Sequence, residues 1–575
     1  MSINISDKEF ITIVQAAADF DDYFCGKYFV PAQESFRLRL QGPAARSESL
    51  AHALLRSQST KINEHENPGA RQIKQLLVNG PGSHLRLRDP SILPPWAIEL
   101  RHMFDVLPEH DLVTNQVSPL HQLCEYGLRY GLQRLKKQIS PALVDHISRK
   151  AEARLGTDLR QTLARATRPC FTLTLEAFRL ASEAIWFHTR ETIPKTREMR
   201  LAVTPCEQLF SMFRTLPVLA RLWSQLICQW CSHIAELLLR FTADRRALSH
   251  AFFGGQRLGK IIDLRAALSD PHNGGRTVVL LKFESGSVIY KPRGGDGEWE
   301  WRSLLRWMNS QSFRPKLRAA RVLRRDRYCW MERIRPEPCR DRNAARRFYR
   351  RVGGMLGAAY LLRAVDCHRD NLIASGEYPV LVDAETLWHV TGETKTQSLI
   401  DALSETGFLP SSGRRSSWQY RSSALGRTSP GQHTPRIAST PLNASTYEVE
   451  IVNGFHEAWR CLLGTTERRA AFFRRLQRLR RRERRWIYRS TRKYHVIRQA
   501  SIHPAALRSG IGRDLLIARS CGRSGLSHGV VQKEMNALRR LDIPYFTRKA
   551  AGPSFSEKGI TPKELVDALR RAVHL

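Results

Sequence analysis

The sequence is short of acidic residues and has no long run of purely apolar ones. Lys and Arg number 92 against 54 for Asp and Glu, so the formal net charge is +38. The most apolar stretch, VLARLWSQLICQWCSHIAELLLRF, is interrupted by charged and polar side chains, which favours a buried amphipathic helix over a membrane span. No basic segment followed by an apolar one opens the chain, so a secretory signal peptide is not predicted.

The sequence also lacks cysteines in paired spacing. Eleven cysteines are scattered along it, and this odd number argues against a disulfide-bonded secreted protein. The CxxC from Cys228 to Cys231 lies on the apolar stretch without a second pair, so a place in the core is favoured over a zinc or redox site. Reduced cysteines predict a cytoplasmic protein.

The basic excess has three explanations that the sequence leaves open. Much of it is arginine spread along the whole chain, which a compositional bias of the genome would also produce. The second explanation is an acidic peptide or phosphate ligand, and the third is nucleic acid. Zinc-finger and RNA-binding aromatic signatures are missing, so nucleic acid is not the expected partner.

The chain is too long for one ordinary domain, and local patterns divide it into three parts. Helical and strand patterns both occur, so an α+β protein is predicted. Residues 1–245 have mostly helical periodicity, and residues 246–400 mix β-branched runs with helical stretches. Residues 401–575 are predicted to form a mobile loop at 410–445 and then a helical C-terminal region.

Two hairpins are predicted in the middle part. TVVLLKF and SVIYK are β-branched runs separated by Glu284-Ser285-Gly286, and NLIAS and PVLVD are short strands joined by a turn. Between the hairpins, residues 343–364 have helical spacing, and the pair Gly353-Gly354 indicates close packing at that helix.

Chemically useful side chains gather around the second hairpin, in AVDCHRDNLIASGEYPVLVDAETLWH. Asp366 and Asn371 are five residues apart, and Asp383 closes the second strand, in the order of the catalytic loop and metal-binding aspartate of protein kinases. Phosphoryl transfer needs a carboxylate to accept the hydroxyl proton. It also needs an amide oxygen and a second carboxylate to hold Mg²⁺.

Two upstream features fit the same chemistry. Lys291 stands at a strand end, where a kinase keeps the lysine that neutralises phosphate charge, and the backbone N–H groups of Gly274 and Gly275 could approach phosphate oxygens. Alone, a strand lysine is usually a solvated edge charge, and a glycine pair is usually a turn. Together and in kinase order, these features predict ATP-dependent phosphoryl transfer. G-x-G-x-x-G, H-R-D and D-F-G are missing, which excludes an ordinary protein kinase.

The sequence resembles the dehydratase part of class II lanthipeptide synthetases, the LanM type, in DPHNGGRTV, VIYKPR, DCHRDNLIASGEYPVLVDAETL, RWIYRSTRKY, IHPAALRSGI and DIPYF. With weaker similarity upstream, the resemblance covers roughly residues 160–550. It implies a lipid-kinase-like catalytic core with large added helical regions. It also implies ATP-dependent phosphorylation of Ser and Thr in a ribosomal precursor peptide, followed by phosphate elimination to dehydroalanine or dehydrobutyrine.

The resemblance assigns phosphorylation roles to five residues. Lys291 would contact the ATP phosphates, and Asp366 would be the base for the substrate hydroxyl. His368 completes the D-x-H-x-x-N motif of the family, and Asn371 and Asp383 would hold Mg²⁺. Asp370 is predicted to be structural.

For the elimination step, the resemblance implies Arg485 and Thr491. This assignment makes chemical sense, because a guanidinium stabilises a departing phosphate through paired hydrogen bonds and a hydroxyl adds a further donor. Asp270 and His272 match a further motif pair of the family, and their division between the two steps is left open. The run RRLQRLRRRERR that Arg485 ends is otherwise typical of a solvated basic helix.

Departures from the family pattern leave alternatives open. Arg421 stands where an acidic residue is frequent, and Gly512 stands where aspartate is common, which bears on peptide positioning or local packing. The zinc-dependent cyclase of full synthetases is not expected here, so the expected partners are a precursor peptide with an acidic leader, a separate cyclase and a transporter. The alternatives are a phosphotransferase without elimination activity and a degenerate fragment that only binds precursor peptide.

Overall fold

A computed structural model describes residues 6–25, 27–31, 85–106, 118–189, 205–389, 399–410, 423–425, 434–480, 482–522, 525–549 and 562–573. Long helices and short strands both occur in these ranges, so the predicted α+β class is confirmed at that level. Among the described helices, none combines the length and apolar character that a membrane crossing requires.

The α-helices of the described residues are α1 (Asp7–Ala17), α2 (Phe20–Cys25), α3 (Pro95–Asp105), α4 (Pro119–Gln138), α5 (Pro141–Val144), α6 (Arg149–Thr189), α7 (Pro205–Thr215), α8 (Pro217–Phe252), α9 (Asp296–Ser310), α10 (Arg342–Leu361), α11 (Leu399–Ser404), α12 (Glu448–Leu463), α13 (Thr466–Arg480), α14 (Thr491–Ser501), α15 (Gly510–Gly522), α16 (His528–Arg539) and α17 (Pro562–Val573). Single 3-10 turns occupy Ala444–Tyr447 and Pro504–Arg508.

The strands are β1 (Phe29–Pro31), β2 (Leu85–Leu87), β3 (Asp263–Arg265), β4 (Val279–Phe283), β5 (Gly286–Lys291), β6 (Val322–Arg324), β7 (Cys329–Glu332), β8 (Leu372–Ser375), β9 (Tyr378–Leu381), β10 (Arg436–Ile437), β11 (Thr440–Pro441), β12 (Glu483–Trp486) and β13 (Phe546–Lys549). Both predicted hairpins are therefore present, as β4–β5 and β8–β9.

These elements belong to two compact units that alternate along the chain. The first consists of Met1–Asp244, Gly259–Val279 and Arg489–Pro544, and the second consists of Arg245–Leu258, Leu280–Tyr488 and Tyr545–Leu575. The three-part division at residues 245 and 400 stays a prediction. Of the loop predicted at 410–445, residues 411–422 and 426–433, with Arg421 among them, lie outside the described residues, and the described end carries β10 and β11.

The first unit is built largely from helices, with α8 at its core. This helix contains the most apolar stretch of the sequence and buries Trp223, whose indole N–H donates to the hydroxyl of Thr167 at 2.9 Å. Cys231 is fully buried there, and burial raises the pKa of Cys228 to about 11 and that of Cys231 to about 12. This is the core environment that the sequence favoured for the CxxC pair.

In the second unit, β4, β5, β7 and β6 are successive neighbours in a sheet. The pairing of β5 with β7 is antiparallel and sets Lys291, the last residue of β5, opposite Cys329. In the same unit, the helices α10 and α12 pack closely against each other. A side chain at Gly353 would overlap with the carbonyl of Ile451, and one at Gly454 would overlap with that of Arg350. The glycine pair that predicted close packing is therefore where two backbones meet.

Candidate functional site

A buried ion pair holds Lys291 at the end of β5. Its ammonium lies 2.8 Å from Oε1 of Glu298 and donates to the carbonyl of Val382 at 2.7 Å, and it lies 3.7 Å from Asp383. Burial acts to lower the pKa of Lys291, but the charges of Asp383 and Glu298 outweigh it and raise the pKa. Lys291 is therefore a charged ammonium fixed in a dry site, which suits the binding of phosphate oxygens.

The first turn of α9 brings Glu298 to this lysine. The turn packs so closely against the segment after β9 that a side chain at Gly297 would overlap with the carbonyl oxygen of Ala384. Glu298 is buried behind it. Sequence reasoning did not identify Glu298, although a glutamate that pairs with the strand lysine is part of the kinase arrangement.

The hairpin of β8 and β9 sets Asn371 next to Asp383. Leu372 pairs with Leu381, and the N–H of Val382 donates to the carbonyl of Asn371 at 2.8 Å. The side-chain NH₂ of Asn371 donates to the carbonyl of Asp366 at 2.8 Å. The side-chain oxygen is therefore the atom that Asn371 can offer to a cation. The two predicted magnesium ligands thus flank one end of the hairpin.

Asp366 and His368 form a contact pair in the loop before β8. Asp366 has a φ of 65°, in the left-handed region that non-glycine residues rarely adopt. Its carboxylate lies 3.3 Å from Nε2 of His368, whose Nδ1 accepts the N–H of Asp370 at 3.2 Å. Nε2 therefore carries the proton and donates to Asp366. Burial acts to lower the pKa of His368, but the bond to Asp366 and the nearby carboxylates raise it.

A segment from a distant part of the chain supports this loop. The N–H of Cys367 donates to the carbonyl of Thr406 at 2.9 Å. The next residue, Gly407, has a φ of 85°, and a side chain there would lie 3.0 Å from the nitrogen of Cys367. The close approach and the backbone angle both require glycine at this position, which sequence reasoning missed.

Arg293 links the two acids that follow β9, and the sequence did not single it out. Its Nη2 lies 2.8 and 3.0 Å from the oxygens of Asp383, and its Nε lies 2.5 Å from Oε2 of Glu385. Burial alone would raise the pKa of Asp383, but Arg293 and Lys291 lower it far below its usual range. Asp383 is therefore an ionised carboxylate held by a buried guanidinium.

The side chains of Asn371 and Asp383 could bind Mg²⁺ only together with further ligands. Among the described residues, no group of three or more His, Cys, Asp or Glu side chains could hold a metal ion. Asn371 and Asp383 offer two hard oxygen donors, and Mg²⁺ is commonly bound by one or two protein oxygens together with substrate phosphates and water. Mg²⁺ would share Asp383 with Arg293.

Arg485 on β12 reaches the same group of acids. Its Nη1 forms an ion pair with Oε1 of Glu385, whose Oε2 accepts the hydroxyl of Tyr545 at 3.1 Å. The guanidinium also lies 5.5 Å from the ring centre of Tyr545. Burial acts to lower the pKa of Arg485, and Glu385 outweighs it, so the guanidinium stays charged. Glu385, which had no assigned role, therefore contacts both Arg293 and Arg485.

In the first unit, Asp270 pairs with a histidine that sequence reasoning did not name. Nε2 of His495 lies 3.2 Å from the carboxylate of Asp270, and Nδ1 lies 3.1 Å from Arg498. Burial acts to raise the pKa of Asp270, but His495 and Arg498 lower it. His495 is one turn after Thr491 on α14, so the two residues share a face of the helix.

His272, Gly274 and Gly275 contact the segment after α16. Nδ1 of His272 lies 2.7 Å from the carbonyl of Ile543, so this nitrogen carries the proton and Nε2 is the basic one. The N–H groups of both glycines, which have positive φ, donate to the carboxylate of Asp542 at 2.6 and 2.9 Å. The turn that they form binds the carboxylate of Asp542. Their contact with ATP phosphates stays a prediction.

The predicted residues therefore fall into two groups. The second unit brings together Lys291, Asp366, His368, Asn371, Asp383 and Arg485, and the first unit holds Asp270, His272, Gly274, Gly275 and Thr491. The structure adds Glu298, Arg293 and Tyr545 to the group in the second unit. It adds His495 and Asp542 to the group in the first unit.

A protein family described as a domain of unknown function, DUF4135, matches residues 216–437 and 427–549, which together are more than half of the chain. The chain belongs to this family. Every predicted site residue, from Asp270 to Thr491, lies within the DUF4135 matches.

This DUF4135 chain is also similar to the lacticin 481/lactococcin biosynthesis protein LcnDR2 of Lactococcus lactis subsp. lactis. The two are 23% identical over 348 residues, which are 50% of this chain and 36% of that protein. The chain thus spans about a third of the length of its relative. The predicted resemblance to lanthipeptide synthetases is confirmed in part by this similarity, and the dehydratase assignment stays a prediction.

Proposed function

We propose that the chain takes part in lanthipeptide biosynthesis as a dehydratase, which phosphorylates Ser and Thr of a ribosomal precursor peptide with ATP and then eliminates the phosphate. The observation that carries the proposal is the buried group in the second unit. There Lys291 pairs with Glu298, and Asp383 follows the hairpin that Asn371 opens. Similarity to a lacticin 481/lactococcin biosynthesis protein supports the same class of substrate.

In the phosphorylation step, the residues bind phosphate and move one proton. Lys291 binds phosphate oxygens from its fixed position, and the carboxylate of Asp366 accepts the proton of the attacking hydroxyl. His368 donates to that carboxylate and so orients it. Asn371 and Asp383 would hold Mg²⁺, which supplies positive charge at the phosphates when bound.

In the elimination step, a base removes the proton from Cα, the Cβ–O bond breaks, and phosphate leaves as a carbon–carbon double bond forms. Arg485 offers a charged guanidinium for the departing phosphate, and the family resemblance assigns Thr491 to the same step. Nε2 of His272 is a basic nitrogen in the neutral ring, because Nδ1 carries the proton. The His495–Asp270 pair supplies a second imidazole that is oriented by a carboxylate.

The test is mass spectrometry of a precursor peptide incubated with the protein, ATP and Mg²⁺. The wild type should remove one water per modified residue. Arg485→Ala should accumulate phosphopeptide, with elimination slowed about 100-fold or more. Asp366→Asn should abolish both products. Arg492→Ala, which changes an exposed arginine, serves as the control and should dehydrate the peptide normally.

Two outcomes would overturn the proposal. Phosphopeptide that accumulates with the wild type and is never dehydrated would leave a phosphotransferase without elimination activity. An unchanged peptide, together with tight binding of it, would leave a protein that only binds the precursor. Full dehydration by Arg485→Ala would remove Arg485 from the elimination step.

A further inference from the structure

One partly exposed face of α9 forms a basic groove. The groove has a volume of about 360 Å³ and is lined by Trp299, Arg302, Ser303, Arg306, Trp307 and Ser310 of α9, with Arg475 of α13. The α9 residues are spaced three or four apart, so they follow a single stripe of that helix. We call this surface the α9 groove.

Among the described residues, the arginines of the α9 groove form no ion pair with a carboxylate. Within the described part of the chain, neither Arg302 nor Arg306 forms an ion pair, and Arg475 instead donates to the hydroxyl of Ser303 at 3.1 Å. Burial, and next the charges of Arg306 and Arg321, lower the pKa of Arg302. A structural arginine is normally placed to satisfy a carboxylate, so clustered guanidiniums without one indicate a site for an anionic partner.

Two indoles lie along the groove and favour a peptide over a small anion. Trp299 and Trp307 are eight residues apart on α9, which is about 12 Å along the helix axis. A guanidinium lies by each ring, that of Arg324 at 5.1 Å from Trp299 and that of Arg475 at 5.3 Å from Trp307. Aromatic rings and arginines dominate peptide-binding surfaces, because they combine contact area with directed hydrogen bonds.

Nearby acids leave the groove basic. The charge of Glu332 acts to raise the pKa of Arg302, and that of Glu300 acts to raise the pKa of Arg475, but burial lowers both pKa values. Glu300 lies 3.6 Å from Arg482 and Glu332 lies 2.9 Å from Arg318, so both acids already pair with arginines outside the groove. The exposed arginine Arg306 has no such compensation in the described residues.

We propose that the α9 groove binds an acidic segment of the precursor peptide, through carboxylates on Arg302, Arg306 and Arg475 and apolar side chains on the two indoles. That the peptide is the precursor rests on the proposed function, whereas the preference for acidic peptide rests on the groove alone. Arg475 belongs to the basic run RRLQRLRRRERR, so the proposal assigns a binding role to one residue of that run.

The experiment measures the Kd of a fluorescein-labelled peptide with glutamates four residues apart, by fluorescence anisotropy at low ionic strength. Arg302→Glu/Arg306→Glu should weaken binding about tenfold or more. The matched control Arg335→Glu/Arg340→Glu makes the same change of net charge at exposed positions outside the groove and should weaken binding less than about twofold. Trp307→Ala keeps the charge and should weaken binding about fivefold.

Equal losses in the groove variant and its matched control would overturn the proposal, because binding would then follow net charge alone. A single-stranded oligonucleotide of equal charge that displaces the peptide, with binding insensitive to Trp307→Ala, would also overturn it in favour of nucleic acid. If the wild type binds the peptide through these arginines but phosphorylates no precursor, the proposed function fails and the groove stands.

Discussion

At the scale of single residues, Arg293 changes the interpretation of the site most. Of two neighbouring carboxylates, that of Glu385 is buried and that of Asp383 is half-buried, and both charges would be costly without compensation. One planar guanidinium contacts both, and Glu385 in turn contacts Arg485. The residues proposed to bind phosphate and the arginine proposed for elimination are thus joined by a continuous chain of ion pairs.

Arg293→Lys is the variant that tests this link. A lysine ammonium is a point charge and cannot bond both carboxylates in the fixed geometry of a guanidinium. We expect the rates of phosphorylation and of phosphopeptide elimination to fall together, each by about tenfold or more. Single-turnover assays on the precursor and on purified phosphopeptide measure the two rates separately. Loss of phosphorylation with a normal elimination rate would contradict the link.

The residues that sequence reasoning identified and those it missed differ in how they can be recognised. Lys291, Asp366 and Asp383 stand in local motifs with fixed spacing. Glu298 follows Lys291 by seven residues but shares its helix with Glu300, and nothing local separates the two. Asp542 accepts N–H groups from glycines more than 260 residues earlier, and periodicity carries no information about so distant a contact.

At the scale of elements, the position of α9 depends on a glycine. The carbonyl of Ala384 occupies the space where a side chain at Gly297 would stand. Any larger residue must push the first turn of α9 away from the segment after β9. Because Glu298 is the next residue, the displacement would separate it from Lys291.

We therefore expect Gly297→Ala to weaken ATP binding and to lower the free energy of unfolding by about 1–3 kcal/mol, since overpacking strains the neighbouring backbone. Calorimetric titration with Mg·ATP and urea denaturation measure the two effects. Gly529→Ala is the matched control, because nothing lies within 4 Å of a side chain there and glycine is a poor helix former. A Gly297→Ala protein as stable as the control would show that α9 is not held by this contact.

The elements themselves were the easier part to predict. Both hairpins follow from β-branched runs around turn residues, and the buried helix α8 follows from its apolar periodicity. The sequence could not predict that β12, which carries Arg485, pairs with β13 some sixty residues later, in the register Arg485 to Thr547. Strand pairing over that distance depends on packing that no local pattern encodes.

At the scale of the whole molecule, the stability of the first unit is expected to depend on pH through His233. Its Nε2 accepts the N–H of Thr277 at 3.4 Å, and burial lowers its pKa to about 4. The unfolded chain binds a proton near pH 6.5, whereas the folded chain binds it only near pH 4. Stability from this residue is therefore complete above pH 6.5 and is lost as the pH falls toward 4.

His233→Gln should remove this dependence. Between pH 7 and pH 4 the wild type is expected to lose about 3 kcal/mol more of its free energy of unfolding than the variant. Urea denaturation at intervals across this range measures the two slopes. Identical slopes for both proteins would show that His233 does not exclude the proton in the folded state.

The alternation of the two units along the chain has a consequence for biosynthesis on the ribosome. The first unit needs Arg489–Pro544, and the second needs Tyr545–Leu575, so neither is complete until its final segment has been translated. At a translation rate of about 5–20 residues per second, the segments that complete the two units are synthesised tens of seconds after the long N-terminal helices. During this interval their apolar faces are open to chaperones, and translation speed becomes a determinant of the yield of folded protein.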